Sequence, residues 1–123
     1  MGTTDELKEL RDTPELQAAL DESHRRPVLL FKHSLSCEIS QSGRLQLEAY
    51  MKNPPADVAV YLVIVQNSRT VSDELARRLG VEHQTPQAIL VCDGKPVWHA
   101  SHFDVTRSAL EGAVASGQGS VER

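Results

Sequence analysis

The chain lacks most of the features that would tie it to a membrane, a nucleic acid or a secreted scaffold. Its longest apolar run, Val58 to Val65, is far shorter than the ~20 residues a helix needs to cross a bilayer. The opening residues, Met1-Gly2-Thr3-Thr4-Asp5-Glu6, have neither the basic region nor the apolar core of a secretory signal. A cytoplasmic protein with no membrane partner is the expectation. Basic residues are scattered apart from the pairs Arg25-Arg26 and Arg77-Arg78, and the formal net charge is -4, so there is no nucleic-acid footprint. Two cysteines are too few for a disulfide framework. They read as two thiols, one buried and one reactive. Gly-rich phosphate loops, a Ser-His-Asp order and His-Glu-x-x-His are all missing. His99 and His102 would fall on opposite faces of a strand, with no cysteine or carboxylate cluster nearby, so no metal site is expected.

What the chain does have is concentrated in residues 28 to 40. Val28-Leu29-Leu30-Phe31 reads as a buried strand. It gives way to polar, cap-type residues, and an amphipathic helix pattern then starts at about Ser36 or Cys37 and runs to Tyr50 or Met51. The first turn of a helix has N–H groups without partners, and its dipole favours negative charge, so a cysteine there is a candidate nucleophile. Cys37 is flanked by Ser36 and Glu38 rather than by apolar residues, which argues against a simple buried thiol. Lys32 and His33 are near enough in sequence to add positive potential, and Glu38 opposes them. Ser40 lies one helical turn on, facing the same side as Cys37. It reads equally as a hydrogen-bond donor to the thiolate or as a solvent-facing helix serine. Gly43 weakens the helix by about 1 kcal/mol unless it meets a close neighbour.

The flanking chain supplies a pattern of alternating strands and helices. A lead-in over residues 1 to 12 has room for a short edge strand. A helix starts at Thr13-Pro14, with Thr13 as cap, and fades near His24. Asn53-Pro54-Pro55 stops the second helix. Asp57 to Val65 lacks alternation, as a strand buried on both faces does. Ser68 or Thr70 caps a third helix that ends at Gly80. Ala88 to Cys92 and Pro96 to Ala100 form a hairpin with a type I′ turn at Asp93-Gly94. Cys92 is expected to be buried in it. A last helix runs from about Asp104 or Val105 to Val114, and residues 116–123 read as a flexible, frayed tail after a single domain over 1–115. The order implies an α/β fold: a four- or five-stranded mixed sheet flanked by helices on both faces.

This order, with Cys37 at the first strong strand-to-helix junction, resembles the thioredoxin fold. Cys37-Glu38-Ile39-Ser40 stands where that superfamily carries Cys-x-x-Cys, and Thr85-Pro86 where it carries a cis-proline facing the active cysteine. More narrowly, Phe31-Lys32-His33-Ser34 through Cys37-x-Ile39-Ser40, Pro86-Gln87-Ala88-Ile89-Leu90 and Val97-Trp98-His99-Ala100-Ser101-His102 resemble the monothiol bacilliredoxin family of the bacillithiol system. The resemblance spans about residues 5 to 112. One departure is Glu38, where the family often has proline.

The resemblance implies a monothiol thiol–disulfide oxidoreductase, acting as a monomer through Cys37. Lys32, His33, Ser36 and Ser40 support it, and Thr85 and Pro86 bind the disulfide partner. It implies bacillithiolated proteins as partners and bacillithiol as co-substrate, with no bound cofactor. Three rivals differ in class. One is a glutaredoxin-like holder of a [2Fe–2S] cluster between two chains. Another is a non-catalytic thioredoxin-like scaffold. The third is a two-cysteine reductase using Cys37 and Cys92.

Overall fold

Strand β2 (Val28–His33) is buried at every position and has a hydrogen-bonded neighbour on each side, which is why its sequence shows no alternation. The computed structural model describes residues 7–52 and 57–121, with side chains as far as residue 116. Among the described residues, five strands form one mixed sheet in the order β1-β3-β2-β4-β5. The other strands are β1 (Lys8–Glu9), β3 (Ala59–Ile64), β4 (Gln87–Cys92) and β5 (Lys95–Ser101). Strands β1, β3 and β2 are parallel, and β4 and β5 run antiparallel to their neighbours. The short edge strand is therefore present, and the sheet is the five-stranded of the two sizes expected.

Helices α1 (Thr13–Glu22), α2 (Glu38–Met51), α3 (Arg69–Leu79) and α4 (Arg107–Val121) cover both faces. The sheet residues sort by period two. Leu29, Phe31, Ala88 and Leu90 face α2 and α4, where Leu47, Tyr50, Leu110 and Val114 complete one core. Val28, Leu30, Ile89 and Val91 face α1 and α3, where Leu16, Leu20, Val71 and Leu75 complete the other. Truncating any of these leucines or Ile89 to alanine removes about 2–5 kcal/mol.

Helix ends refine the sequence reading. Asp12, not Thr13, caps α1: its Oδ1 accepts from the Glu15 N–H at 2.9 Å. Cys37 is the N-cap of α2, and Ser68 that of α3. The last helix starts later than expected, at Arg107, after a 3-10 turn at His102–Asp104, with the Thr106 hydroxyl accepting from Ala109 N–H at 3.1 Å. It also ends later. The helix continues past Val114 to Val121, through the segment read as a frayed tail. Its glycines cost helix propensity, but each added residue gains a ladder bond once the helix is nucleated. The Asn53-Pro54-Pro55 stop lies outside the described residues. Asp93 and Gly94, with φ of 54° and 74°, make the turn between β4 and β5 that their types favour. The turn is tied to α1 through Ser23, whose backbone O and Oγ accept from Asp93 N–H and Gly94 N–H, each at 2.8 Å.

Candidate functional site

The site forms at the edge of the sheet where β2 and β3 end. Past His33 the chain crosses three residues and enters α2 at Cys37, which is half-buried and makes no capping hydrogen bond with its sulfur. The first-turn N–H groups of α2 thus lie beside a thiol, where the helix dipole favours an anion. Cys37 N–H donates to Ser34 O at 3.4 Å, and Cys37 O accepts from Gln41 N–H at 3.1 Å.

Ser40 is fully buried and engaged. Its Oγ accepts from Ser34 N–H at 2.9 Å and lies 2.8 Å from His33 Nδ1. The Ser40 hydroxyl thus bonds both the Ser34 backbone and the His33 ring, whose Nδ1 donates or accepts according to its tautomer. Of the two expectations for Ser40, neither the solvent-facing helix residue nor the donor to Cys37 is what the structure holds. The hydroxyl ties the start of α2 back to the end of β2.

Neither His33 nor Lys32 places a positive charge beside Cys37, contrary to what their sequence spacing suggests. His33 is buried and stacks on Phe31, with ring centroids 5.9 Å apart. Burial first, and then Arg44 nearby, push its pKa below the usual histidine value, so its ring is neutral at neutral pH. Lys32 points to the opposite face, in register with Gln87 and Val63, and reaches Ser72 O on α3 at 3.5 Å. It is fully buried, and burial pulls its ammonium down to about 8 despite Asp73. Lys32 therefore does not line a pocket beside Cys37, as the strand's period of two dictates.

Gln66, in the turn after β3, has no local sequence signal. Its Oε1 accepts from Leu35 N–H at 3.1 Å, and its Nε2 donates to Ser34 Oγ at 3.0 Å and Ser36 Oγ at 3.4 Å. It clamps the segment leading to Cys37, and this is where Ser36 takes part. The parallel register pairs His33 with Ile64, so the residues two past each end, Leu35 and Gln66, must adjoin. Only knowledge of that register could have singled Gln66 out.

Thr85-Pro86 is a cis peptide bond. A Cβ on Gly43 would sit 3.3 Å from Pro86 Cβ and 3.5 Å from Phe31 Cζ, so the glycine is the close-packing position of α2. Pro86 O accepts from His102 N–H at 2.9 Å, with His102 in the left-handed region at φ 57°. Thr85 and Pro86 are thereby held against the N-terminal half of α2.

Cys92 is buried at the far end of β4, where burial, then Asp93, push its thiol pKa up. Lys32 pairs with Gln87 near Cys37, and Cys92 lies five residues beyond, about 17 Å along the strand. A disulfide needs Cα atoms within about 7 Å, so the fold does not bring Cys37 and Cys92 together. This removes the two-cysteine reductase from the rivals. No helix among the described residues is long and apolar enough to cross a membrane.

A half-buried thiol at the start of a helix that packs on a cis-proline, at the edge of a β-α-β sheet, fits a thioredoxin-fold thiol–disulfide oxidoreductase. The solved structures agree. One described as an oxidoreductase with a thioredoxin fold superposes with a TM-score of 0.79 at 28% identity, over 92% of this chain and 97% of that one. Thioredoxins from Trypanosoma brucei brucei (TM-score 0.74, 13% identity, 94% of each chain) and Fasciola hepatica (0.73, 17%, 89% and 98%) share the fold. Residues 8–110 match the family model described as monothiol bacilliredoxin BrxC, and the chain belongs to that family.

Proposed function

We propose that Cys37 is the exchanging thiol and that the protein removes bacillithiol from mixed disulfides on other proteins. The observation that carries this is the occupant of the position one turn beyond Cys37. Ser40 stands there, buried and committed to His33 and Ser34. Exchange can begin at Cys37, but no thiol adjoins it to finish internally.

In the first step the Cys37 thiolate attacks the bacillithiol sulfur of the mixed disulfide. A new S–S bond forms between Cys37 and bacillithiol, the old one breaks, and the substrate protein leaves as a thiolate that takes up a proton. In the second step a bacillithiol thiolate attacks the adduct, giving the symmetric bacillithiol disulfide and regenerating Cys37. The two steps need one chain, no bound cofactor and a low-molecular-weight thiol as co-substrate, which fits a cytoplasmic monomer. Thr85 presents backbone groups to the incoming disulfide, and Pro86 holds Thr85 in place. His33, Ser34, Ser36, Ser40 and Gln66 hold the Cys37 loop. Attack depends on access to the right sulfur as much as on thiolate fraction.

Intact-mass analysis after mixing with a bacillithiolated protein tests the assignment. Wild type should gain one bacillithiol, lost in Cys37→Ser. An adduct of the same yield on Cys37→Ser would show the thiol is misassigned.

A further inference from the structure

The outer flank of α2 carries a depression of about 330 Å³ that starts at the Cys37 loop. It is lined by His33, Leu35, Gln41, Arg44, Leu45 and Glu48. Gln41, Arg44 and Glu48 follow one another at helical spacings of three and four, so they form one stripe along α2, the helix that begins one residue past Cys37. Arg44 lies about 10 Å along the helix axis from Cys37. Leu35 and Leu45, 49% and 66% exposed, are two of the large apolar side chains the protein leaves in solvent. Both border this depression. A second hollow of about 460 Å³, lined in part by the same Arg44 and Glu48, continues it toward Lys52.

Arg44 is the informative residue. Its Nε donates to Glu48 Oε2 at 3.1 Å, which fixes the guanidinium plane. Among the described residues its two terminal nitrogens have no partner, and its side chain is 34% exposed. A guanidinium held from one side and open on the other is prepared for a planar anion such as a carboxylate. Gln41, between Arg44 and Cys37, offers an amide to hydroxyl groups.

We propose that this groove binds the non-thiol part of the low-molecular-weight thiol: distal carboxylates on Arg44, the polar middle over Gln41, and the sulfur at Cys37. The ligand class is a small thiol with a carboxylate at the end away from sulfur, shared by bacillithiol and glutathione. This rests on Cys37 being the exchanging thiol. It adds that specificity for the thiol comes from α2 rather than from the Thr85-Pro86 side, which is left to the protein partner.

The test mixes protein reduced at Cys37 with excess bacillithiol disulfide, glutathione disulfide or 2-hydroxyethyl disulfide, which lacks carboxylates; each exchange puts one adduct on Cys37 and releases one equivalent of the small thiol. The readout is the ratio of the second-order rate constant of adduct formation for each carboxylate-bearing disulfide to that for 2-hydroxyethyl disulfide. Arg44→Gln should lower the ratio for the preferred thiol roughly tenfold or more, as loss of a charge-assisted hydrogen bond does. Leu45→Glu, at a 66% exposed position that leaves the fold intact, should lower it in the same direction by repelling the carboxylates. Arg77→Gln, on the surface of α3, should leave it unchanged. Exchange that still requires Cys37 but keeps the wild-type ratio in both groove variants would overturn the groove alone. Exchange that persists in Cys37→Ser would overturn the reading of Cys37 and the groove with it.

Discussion

Two adjacent residues, Lys32 and His33, show how far a side chain's neighbours depend on the face of the strand it leaves. Both stand within five positions of Cys37, yet only His33 faces α2. In an alternating strand the apolar set would announce the faces, but β2 is buried on both sides and hides them. The result for Lys32 is a buried ammonium with a single long hydrogen bond. Its folded pKa of about 8 lies below the ordinary 10.5, so the unfolded chain binds more protons between those values. Stability should therefore rise as pH rises from about 8 to 10.5, by up to the order of 3 kcal/mol. Lys32→Met should be more stable than wild type at pH 7 and flat through that window in chemical denaturation. Wild-type curves that do not change between those pH values would show the amine is not held in this way. His33 has the same sign in acid. Its lowered pKa means that stability falls as pH drops below the usual histidine value of 6.5.

At the scale of elements, α2 is where the sequence is most informative and most incomplete. Its start, its stripe and its weak point at Gly43 are all legible, because caps, period and glycine cost are local properties. The partner that makes Gly43 necessary is not legible, since Pro86 comes from a segment 43 residues away in sequence. Gly43→Val would push a branched side chain into Pro86 and Phe31. It should cost about 1–3 kcal/mol and lower Tm accordingly. Slower modification of bacillithiolated substrate should accompany the loss, because the same contact holds Thr85-Pro86 against α2. A Tm unchanged from wild type would mean the helix and the proline loop are not packed as described. Helix α4 marks the opposite case. Gly117 and Gly119 suggest an end near Val114, but local propensity did not decide where the helix stops.

For the whole molecule, the succession of strands and helices and the mixed sheet came through from the apolar runs, the caps and the Asp93-Gly94 turn. The register between β2 and β3 did not, and with it went Gln66. Register also separates the two cysteines: β4 runs away from the site, so Cys92 lies under the hairpin at the other end of the sheet. The fold thus leaves Cys37 with a serine where a resolving thiol would stand and keeps the remaining thiol out of reach. The fate of the adduct tests this most directly. Wild-type protein carrying one bacillithiol on Cys37, freed of small thiols, should keep that mass unchanged. Added bacillithiol should then remove it and release one equivalent of bacillithiol disulfide. Spontaneous loss of the adduct with formation of a Cys37–Cys92 disulfide would contradict the account.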